Sequence, residues 1–438
     1  MSTRTLFRNA RLLDPASNLD RAGDLLVEDG RIAEIGSVRA GRDAEVIDCS
    51  GACLAPGLVD MRVELREPGA EHQESMNSGG LAAVAGGVTT MVALPHTEPV
   101  IDDAALVEFV ARRSRDVGLA RIRTYAAATK GLRGRELTEM GLLAAAGALA
   151  FTDAGHAIAD PVVMRRALSY ARTFDLLVMQ HPEEPHLASG GVMNEGEVAT
   201  RLGLAGITPA AELIMVERDL RLCEITGGRL HIAHVSTERA IDAIRAAKAR
   251  KLPVTCDTAP HYFALNETAV GDYRTFAKVS PPLRCEWDRR AVVAGLKDGT
   301  IDCIASDHSP HDQESKRLPF ASAASGIIGV ETLLPLALEL YHNGHLPLLQ
   351  VLKAVTERPA EILRLPAGRL DVGAAADLVI FDLDQPWRID VDALRSKSKN
   401  SPYDGRPVQG RVLRTVIAGR SVFIHQPENG RLIWHRSH

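Results

Sequence analysis

The sequence predicts an α/β protein, because its middle and its two ends follow different patterns. Between about residues 56 and 360, short β-rich runs alternate with helix-like stretches, as in the βα units that build a parallel sheet. Both ends instead carry strand-like runs separated by Gly, Asp and Pro. The middle contains eight β-rich runs, and eight βα units that close on themselves form a TIM barrel. The eight runs are 58–65, 88–95, 122–128, 148–153, 175–181, 229–235, 253–260 and 301–308.

The two ends of the chain predict a second, smaller unit. Apolar and polar positions alternate within residues 1–55, and the Asp29-Gly30 dipeptide between two strand-like runs is a hairpin signal. Residues 365–438 contain similar strand-like runs, AADLVIFDLD and GRVLRTVIAGRSVFIH. We therefore expect one small β domain, built from 1–55 plus 365–438, beside a barrel over 56–364. Two separate β caps are the alternative that the pattern leaves open.

The motifs of the middle favour a closed barrel over an open sheet. Helix-like stretches such as SGGLAAVAGG and STERAIDAIRAAKARK separate most of the β-rich runs. A doubly wound open sheet is the competing architecture. No GxGxxG follows a strand and no GxxxxGK[ST] occurs, so no motif supports a nucleotide-binding open sheet.

Composition and charge exclude several classes of protein. The 438 residues are 45% hydrophobic and 24% charged, which is typical of a folded domain and not of a disordered chain. The net charge of −5 argues against nucleic acid or an anionic membrane as a main partner. Six scattered cysteines form no CxxC pair, and neither a secretory signal nor a membrane-spanning run is visible. We therefore expect a cytoplasmic protein.

Ionisable side chains stand at the ends of several predicted barrel strands, where TIM barrels place their active sites. A lone histidine at a strand end is more often a hydrogen-bonded structural residue, but four such ends at one rim seldom coincide by chance. Neutral imidazole and carboxylate oxygen are zinc ligands. We therefore predict a metal or acid–base site that would polarise a carbonyl and activate water. Its members are Asp153, His181, His234 and Asp307.

Two further residues suit an anionic substrate. Arg66 follows the first strand in LREPG, where its guanidinium could hold a carboxylate in a bidentate pair. His311 lies four residues after Asp307, above the same rim. Each has an ordinary alternative, a structural salt bridge for Arg66 and a surface position for His311.

Long, ordered motifs then identify a family. The run APGLVDMRVELREPGAEHQESMNSGGLAAVAGGVTTMVALPHTEPV resembles the first barrel segment of bacterial type I dihydroorotases, which belong to the amidohydrolase superfamily. The same holds for MNEGEVATRLGLAGITPAAE, HIAHVST, APHYFALNE, KVSPPLR, DGTIDCIASDHSPH and GIIGVETLLPLAL. The resemblance extends to the closing GRVLRTVIAGRSVF. It implies a TIM barrel with a small β-sandwich formed by both termini, and a homodimer.

The resemblance also implies an activity and a set of site residues. Dihydroorotases interconvert N-carbamoyl-L-aspartate and dihydroorotate in pyrimidine biosynthesis, using zinc-activated water. By motif, Asp153 matches the carboxylate that bridges two metals, and His181 and His234 match the histidines of the second metal. Asp307 matches the catalytic aspartate. Arg66 and His311 match residues that hold the substrate carboxylate.

The chain departs from the family at four positions. The first strand of the family ends in His-x-His, which binds the first metal, but this chain has Arg62 and Glu64 there. Both side chains share one face of the strand, and arginine has no lone pair for zinc. The first metal position is therefore lost or rebuilt, with Glu64 as a tentative ligand. His96 and Ser280 stand where the family has substrate-contacting asparagines.

Three hypotheses follow from these departures. In the first, one zinc remains on Asp153, His181 and His234, and the protein is still a dihydroorotase. In the second, Arg62 takes the place of the lost metal and pairs with Asp153 or Asp307. No zinc is then bound, and the barrel is an inactive partner of aspartate transcarbamoylase. In the third, the altered pocket serves another cyclic amide of the hydantoin or allantoin class.

Overall fold

The computed structural model describes residues 4–38 and 43–425, and its strands and helices follow the predicted alternation. The strands are β1 Arg4–Asp14, β2 Leu19–Glu28, β3 Arg31–Gly36, β4 Glu45–Asp48, β5 Cys53–Pro56, β6 Leu58–Val63, β7 Val88–Ala93, β8 Arg121–Thr124, β9 Phe151–Thr152, β10 Leu177–Gln180, β11 Met193–Asn194, β12 Gly206–Ile207, β13 Arg229–Ile232, β14 Val254–Thr258, β15 Cys303–Ile304, β16 Leu378–Arg388, β17 Pro407–Ile417 and β18 Arg420–Ile424. The helices are α1 Met76–Ala85, α2 Ala104–Val117, α3 Met140–Ala145, α4 Pro161–Thr173, α5 Pro185–Ala188, α6 Glu197–Leu202, α7 Ala210–Thr226, α8 Glu238–Ala249, α9 Pro260–Ala264, α10 Glu286–Asp298, α11 Gln313–Lys316, α12 Leu333–His342, α13 Leu348–Val355 and α14 Glu357–Ile362.

Eight parallel strands form the barrel. Hydrogen bonds join β6, β7 and β8 into one arc, and β9, β10, β13, β14 and β15 into a second. Parallel bridges between Ala126 and Phe151 and between Val63 and His308 join the arcs at their two seams. The eight predicted β-rich runs each contain or overlap one of these strands. The prediction of a TIM barrel is confirmed.

Both termini contribute to one sheet outside the barrel. Its strand order is β18-β17-β16-β5-β1-β2-β3, with β4 paired to β1. Antiparallel pairing of β5 with β16 joins the two ends of the chain, with Cys53 opposite Phe381. The termini therefore form a common unit and not two separate caps. The boundaries at 1–55 plus 365–438 stay a prediction, and residues 1–3, 39–42 and 426–438 of that unit lie outside the described residues.

Local sequence sets the ends of the helices around the barrel. The Asp160 carboxylate accepts a hydrogen bond from the Val162 amide at 2.7 Å and caps α4, whose first residue is a proline. The Asp103 carboxylate caps α2 in the same way, through the Leu106 amide at 2.9 Å. The same helix ends at Gly118, whose φ of 64° is a left-handed conformation that glycine adopts without strain.

The inside of the barrel is apolar below its polar rim. The hydroxyl of Tyr125, which is fully buried, donates to the Met61 carbonyl at 2.6 Å and so satisfies its only polar atom. Around it packs a cluster of buried side chains that includes Val92, Leu177 and Met179. This packing fills the lower barrel, and the predicted site residues lie above it at the C-terminal strand ends.

Two expectations about the whole chain concern its cysteines and membranes. All six cysteines are free thiols. Within the described ranges, no helix is both long enough and apolar enough to cross a bilayer.

A buried carboxylate on α7 supports the strand end that precedes His181. Asp219 is fully buried and accepts from the Gln180 amide at 3.0 Å, while Gln180 Oε1 accepts from the Ile158 amide at 3.1 Å. Burial raises the pKa of Asp219 to about 6, although Arg218 donates to it and opposes the rise.

This pKa predicts a pH-dependent stability that Asp219→Asn removes. The folded pKa lies above the unfolded value, so protonation stabilises the fold fully below about pH 4 and this contribution is lost as pH rises through 6. Relative to the variant, wild type should therefore lose about 2–3 kcal/mol across that interval. Urea unfolding of both proteins between pH 4 and 7 measures the difference. A difference that does not change with pH would contradict the prediction.

Candidate active site

Arg62, His181, His234, His261 and Asp307 form an inner cluster at the barrel rim. Arg62 Nε donates to Asp307 Oδ1 at 2.7 Å, which closes an ion pair from the first strand to the end of the eighth. Asp307 Oδ2 lies 3.4 Å from His234 Nδ1 and 3.6 Å from His261 Nε2. His234 Nε2 lies 2.7 Å from His181 Nδ1. One chain of contacts therefore links all five side chains.

The directions of these hydrogen bonds follow from the chemistry of the partners. A carboxylate can only accept, so the contact with Asp307 places the proton of neutral His234 on Nδ1. His234 Nε2 then accepts from His181 Nδ1. Burial, together with the nearby Arg62 guanidinium, lowers the pKa values of His234 and His261 to about 4, although Asp307 opposes the shift. Both imidazoles are therefore neutral near pH 7.

The ion pair controls the basicity of Asp307. Burial alone would raise the pKa of this carboxyl group, but His234 and Arg62 outweigh burial and hold the pKa below its ordinary value. For Arg62 the loss of solvent is likewise outweighed, mainly by Asp307, so its pKa is raised. A carboxylate with a depressed pKa is a weak proton acceptor at neutral pH.

Glu64, Arg66, His96, Ser309 and His311 form an outer cluster above the inner one. Glu64 Oε2 pairs with Arg66 Nη2, accepts from Ser309 Oγ at 2.8 Å and lies 3.3 Å from His96 Nε2. Arg66 Nη1 lies 3.0 Å from His96 Nε2, and Arg66 Nη2 lies 3.4 Å from His311 Nε2. The predicted carboxylate-binding residues therefore do meet, around the carboxylate of Glu64.

The charges of the outer cluster are matched in the same way. Burial would raise the pKa of Glu64, but Arg66 and His96 outweigh it and hold this pKa well below the ordinary value. Burial lowers the pKa of His311 to about 4, and Arg66 adds to this effect. Glu64 is therefore ionised and His311 neutral near pH 7, and Arg66 already has its counter-ion.

Two of the predicted site residues lie outside both clusters. Asp153 is buried, and its two oxygens accept from the Thr129 amide at 2.9 Å and the Thr129 hydroxyl at 2.5 Å. Burial raises the pKa of Asp153, opposed by these hydrogen bonds. Among the described residues, Ser280 makes no hydrogen bond to either cluster. The sequence left Asp153 and Asp307 as alternative partners of Arg62. The structure pairs Arg62 with Asp307 and not with Asp153.

The sequence analysis missed two members of the clusters. His261 follows β14, the seventh barrel strand, so a search of every strand end would have found it. Both of its ring nitrogens are buried without a hydrogen-bond partner. Ser309 lies two residues after Asp307 and offered no signal of its own, because an isolated serine in a loop has no distinctive pattern.

The residues as placed do not fit a zinc centre. No group of three or more His, Cys, Asp or Glu side chains in the described part of the chain is arranged to hold a metal. His181 Nδ1 and His234 Nε2 face each other at 2.7 Å, whereas two nitrogens on a tetrahedral zinc lie about 3.3 Å apart. The other two predicted ligands are engaged elsewhere, since Asp153 accepts from Thr129 and Glu64 pairs with Arg66.

Comparisons with known proteins identify the family. The model of the dihydro-orotase-like family matches residues 51–240, and that of the amidohydrolase family matches residues 289–423. A dihydroorotase of Anaplasma phagocytophilum (strain HZ) is 48% identical over 95% of this chain and 94% of its own length. A dihydroorotase of Syntrophotalea carbinolica is 46% identical over 96% of this chain and 99% of its own. The chain belongs to the dihydroorotase family.

Solved structures support the same fold. An L-hydantoinase (dihydropyrimidinase) from Arthrobacter aurescens superposes with a TM-score of 0.86, at 25% identity over 99% of this chain and 98% of its own. A dihydropyrimidinase from Brevibacillus agri gives a TM-score of 0.83 at 22% identity, over 98% and 96% of the two chains. The family that the sequence motifs indicated is confirmed, and its barrel is the one described above.

The buried ion pair predicts a large coupling energy in a double-mutant cycle of Arg62→Met and Asp307→Asn. Each single variant leaves one buried charge without its partner, whereas the double variant removes both. We expect the double variant to be about 3 kcal/mol more stable than the sum of the single effects indicates. Chemical unfolding of the four proteins measures this coupling.

A matched cycle on the solvent-exposed pair Arg4 and Glu28 serves as the control, and its coupling should stay below about 1 kcal/mol. Equal coupling in both cycles would show that the barrel pair contributes no more than a surface contact.

Proposed function

We propose that this protein interconverts N-carbamoyl-L-aspartate and dihydroorotate, the dihydroorotase reaction of pyrimidine biosynthesis. The observation that carries the proposal is the outer cluster, where Arg66, His96 and Ser309 surround a carboxylate group and His311 contacts Arg66. Curated dihydroorotases that match nearly the whole chain at 48% and 46% identity support the same assignment. The substrate class is therefore a small anion with a cyclic or ring-closing amide.

The residues present divide the work of this reaction. Arg66 would hold the substrate carboxylate by charge and paired N–H groups. Hydrolysis adds water to the ring amide carbon, breaks the C–N bond and transfers a proton to the leaving nitrogen. Asp307 would accept the proton from water and return it to nitrogen, with neutral His234 hydrogen-bonded to its carboxylate. Because Arg62 weakens this base, we expect slow turnover.

The test is dihydroorotate hydrolysis by the purified protein, with Asp307→Ala prepared identically as a control for host enzyme. We expect turnover in wild type and background rates in the variant, because the variant has lost its proton acceptor. Asp384→Ala, an exposed carboxylate in the terminal sheet, is the matched variant and should behave as wild type. Background rates in all three proteins would contradict the proposed activity.

A second candidate function rests on one specific observation, the Arg62–Asp307 ion pair. If this pair silences Asp307 completely, the barrel is a structural partner of aspartate transcarbamoylase. Co-purification with that enzyme, together with background hydrolysis, would favour this candidate. The homodimer that the resemblance implies stays a prediction. For the third hypothesis, a hydantoin or allantoin substrate, the hydantoinase and dihydropyrimidinase structures support only the shared fold.

The metal content is a separate proposal. Dihydroorotase-family members are generally metal-dependent. We propose that His181 and His234 are the only protein ligands available to zinc in this chain, and that zinc is therefore bound weakly. Structural zinc sites use four protein ligands and catalytic sites three.

This proposal predicts less than one zinc per chain after the protein is saturated with zinc and dialysed. Elemental analysis against protein concentration measures the ratio, and His234→Ala should reduce it to background. One full zinc per chain that is lost in His234→Ala would overturn the proposal and support a one-zinc enzyme.

A further inference from the structure

We propose that Glu64 is an internal carboxylate that occupies the seat for the substrate carboxylate, so that an anionic ligand binds only by displacing it. The seat is the group of Arg66, His96, Ser309 and His311 around the Glu64 side chain. The inference deepens the proposed function and rests on it, because it concerns how that same substrate enters the site.

The contacts of Glu64 resemble those of a bound ligand. Three groups converge on one oxygen, Oε2: Arg66 Nη2, Ser309 Oγ at 2.8 Å and His96 Nε2 at 3.3 Å. Because arginine can only donate, His96 Nε2 accepts from Arg66 Nη1, and the donors to Oε2 are the Arg66 cation and the Ser309 hydroxyl. A cation together with a neutral donor on one oxygen is an arrangement that recognises a carboxylate. Glu64 therefore stands where the first sequence prediction placed the substrate's own carboxylate.

The guanidinium of Arg66 has little capacity left for a second anion. Its Nε donates to the Pro310 carbonyl at 3.2 Å, and Nη1 lies 3.0 Å from His96 Nε2. Nη2 faces Glu64 and is also 3.4 Å from Ser309 Oγ. A carboxylate that binds as a bidentate pair would have to share Nη2 with Glu64, and two like charges on one donor repel each other.

Displacement of Glu64 requires movement of its side chain only. Its backbone amide donates to the His308 carbonyl at 2.8 Å, so the main chain is held at the closing seam of the barrel. The side chains of Glu64 and Arg66 are 16% and 14% exposed, so a small ligand can reach them from solvent. Rotation of Glu64 toward solvent would open the seat without a change in the fold.

The experiment compares a charged ligand with an uncharged one. Dihydroorotate carries the carboxylate, and 5,6-dihydrouracil is the same ring without it. We expect Glu64→Gln to bind dihydroorotate about tenfold more tightly than wild type, because the competing charge is gone. The dissociation constant of dihydrouracil should change less than twofold, since this ligand does not use the seat. Calorimetric titration measures both constants.

Two further variants keep the test decisive. Glu71→Gln removes an exposed carboxylate from the same loop and should match wild type with both ligands. Glu64→Asp keeps the negative charge beside Arg66 but withdraws the oxygens by one methylene. It should give an intermediate gain, and it provides a folded protein should Glu64→Gln fail to fold.

The possible results separate the inference from the proposed function. Equal affinity for dihydroorotate in wild type, Glu64→Gln and Glu64→Asp would overturn the inference and leave the proposed function standing. An equal gain for both ligands would also overturn it, because the effect would not depend on the carboxylate. Folded proteins that bind no dihydroorotate at all would overturn the proposed function itself, and the inference with it.

Discussion

The ion pair between Arg62 and Asp307 is the interaction on which the geometry of the site depends. It joins the first and eighth barrel strands at the seam where Val63 bridges His308 and Glu64 N donates to the His308 carbonyl. Because Asp307 is oriented by Arg62, its second oxygen faces His234 and His261. The imidazole cluster is therefore organised around a carboxylate whose charge is already neutralised.

Within the inner and outer clusters, the strong charges compensate one another. Arg62 is balanced by Asp307 and Arg66 by Glu64, and the nearby His234 and His311 are neutral because burial disfavours their charged forms. A site of this kind attracts a distant anion weakly, since steering depends on net charge. Recognition of an anionic ligand must then depend on short-range contacts, in which the ligand replaces Glu64 as the partner of Arg66.

The sequence predicted the barrel well because βα alternation is a local and repeated signal. It also placed Arg62 and Glu64 on one face of the first strand, which follows from the period of a strand. It could not choose partners for them, because Asp307 and Asp153 lie at different strand ends and offer the same chemistry. Thr129 donates hydrogen bonds to both oxygens of Asp153, but it is distant from Asp153 in sequence and belongs to no recognisable motif.

The two departures in the first strand act on different halves of one reaction. Each puts a full charge where the family has a neutral imidazole, and each charge pairs with a residue that the family resemblance makes essential. Arg62 pairs with Asp307, for which we propose proton transfer, and Glu64 pairs with Arg66, for which we propose binding of the substrate carboxylate. A substitution that restored only a metal ligand at position 62 would therefore leave Arg66 still paired with Glu64. The two pairs share no hydrogen-bond partner, but the Glu64 charge also raises the pKa of Arg62, so their effects on proton transfer and on substrate binding are electrostatically coupled.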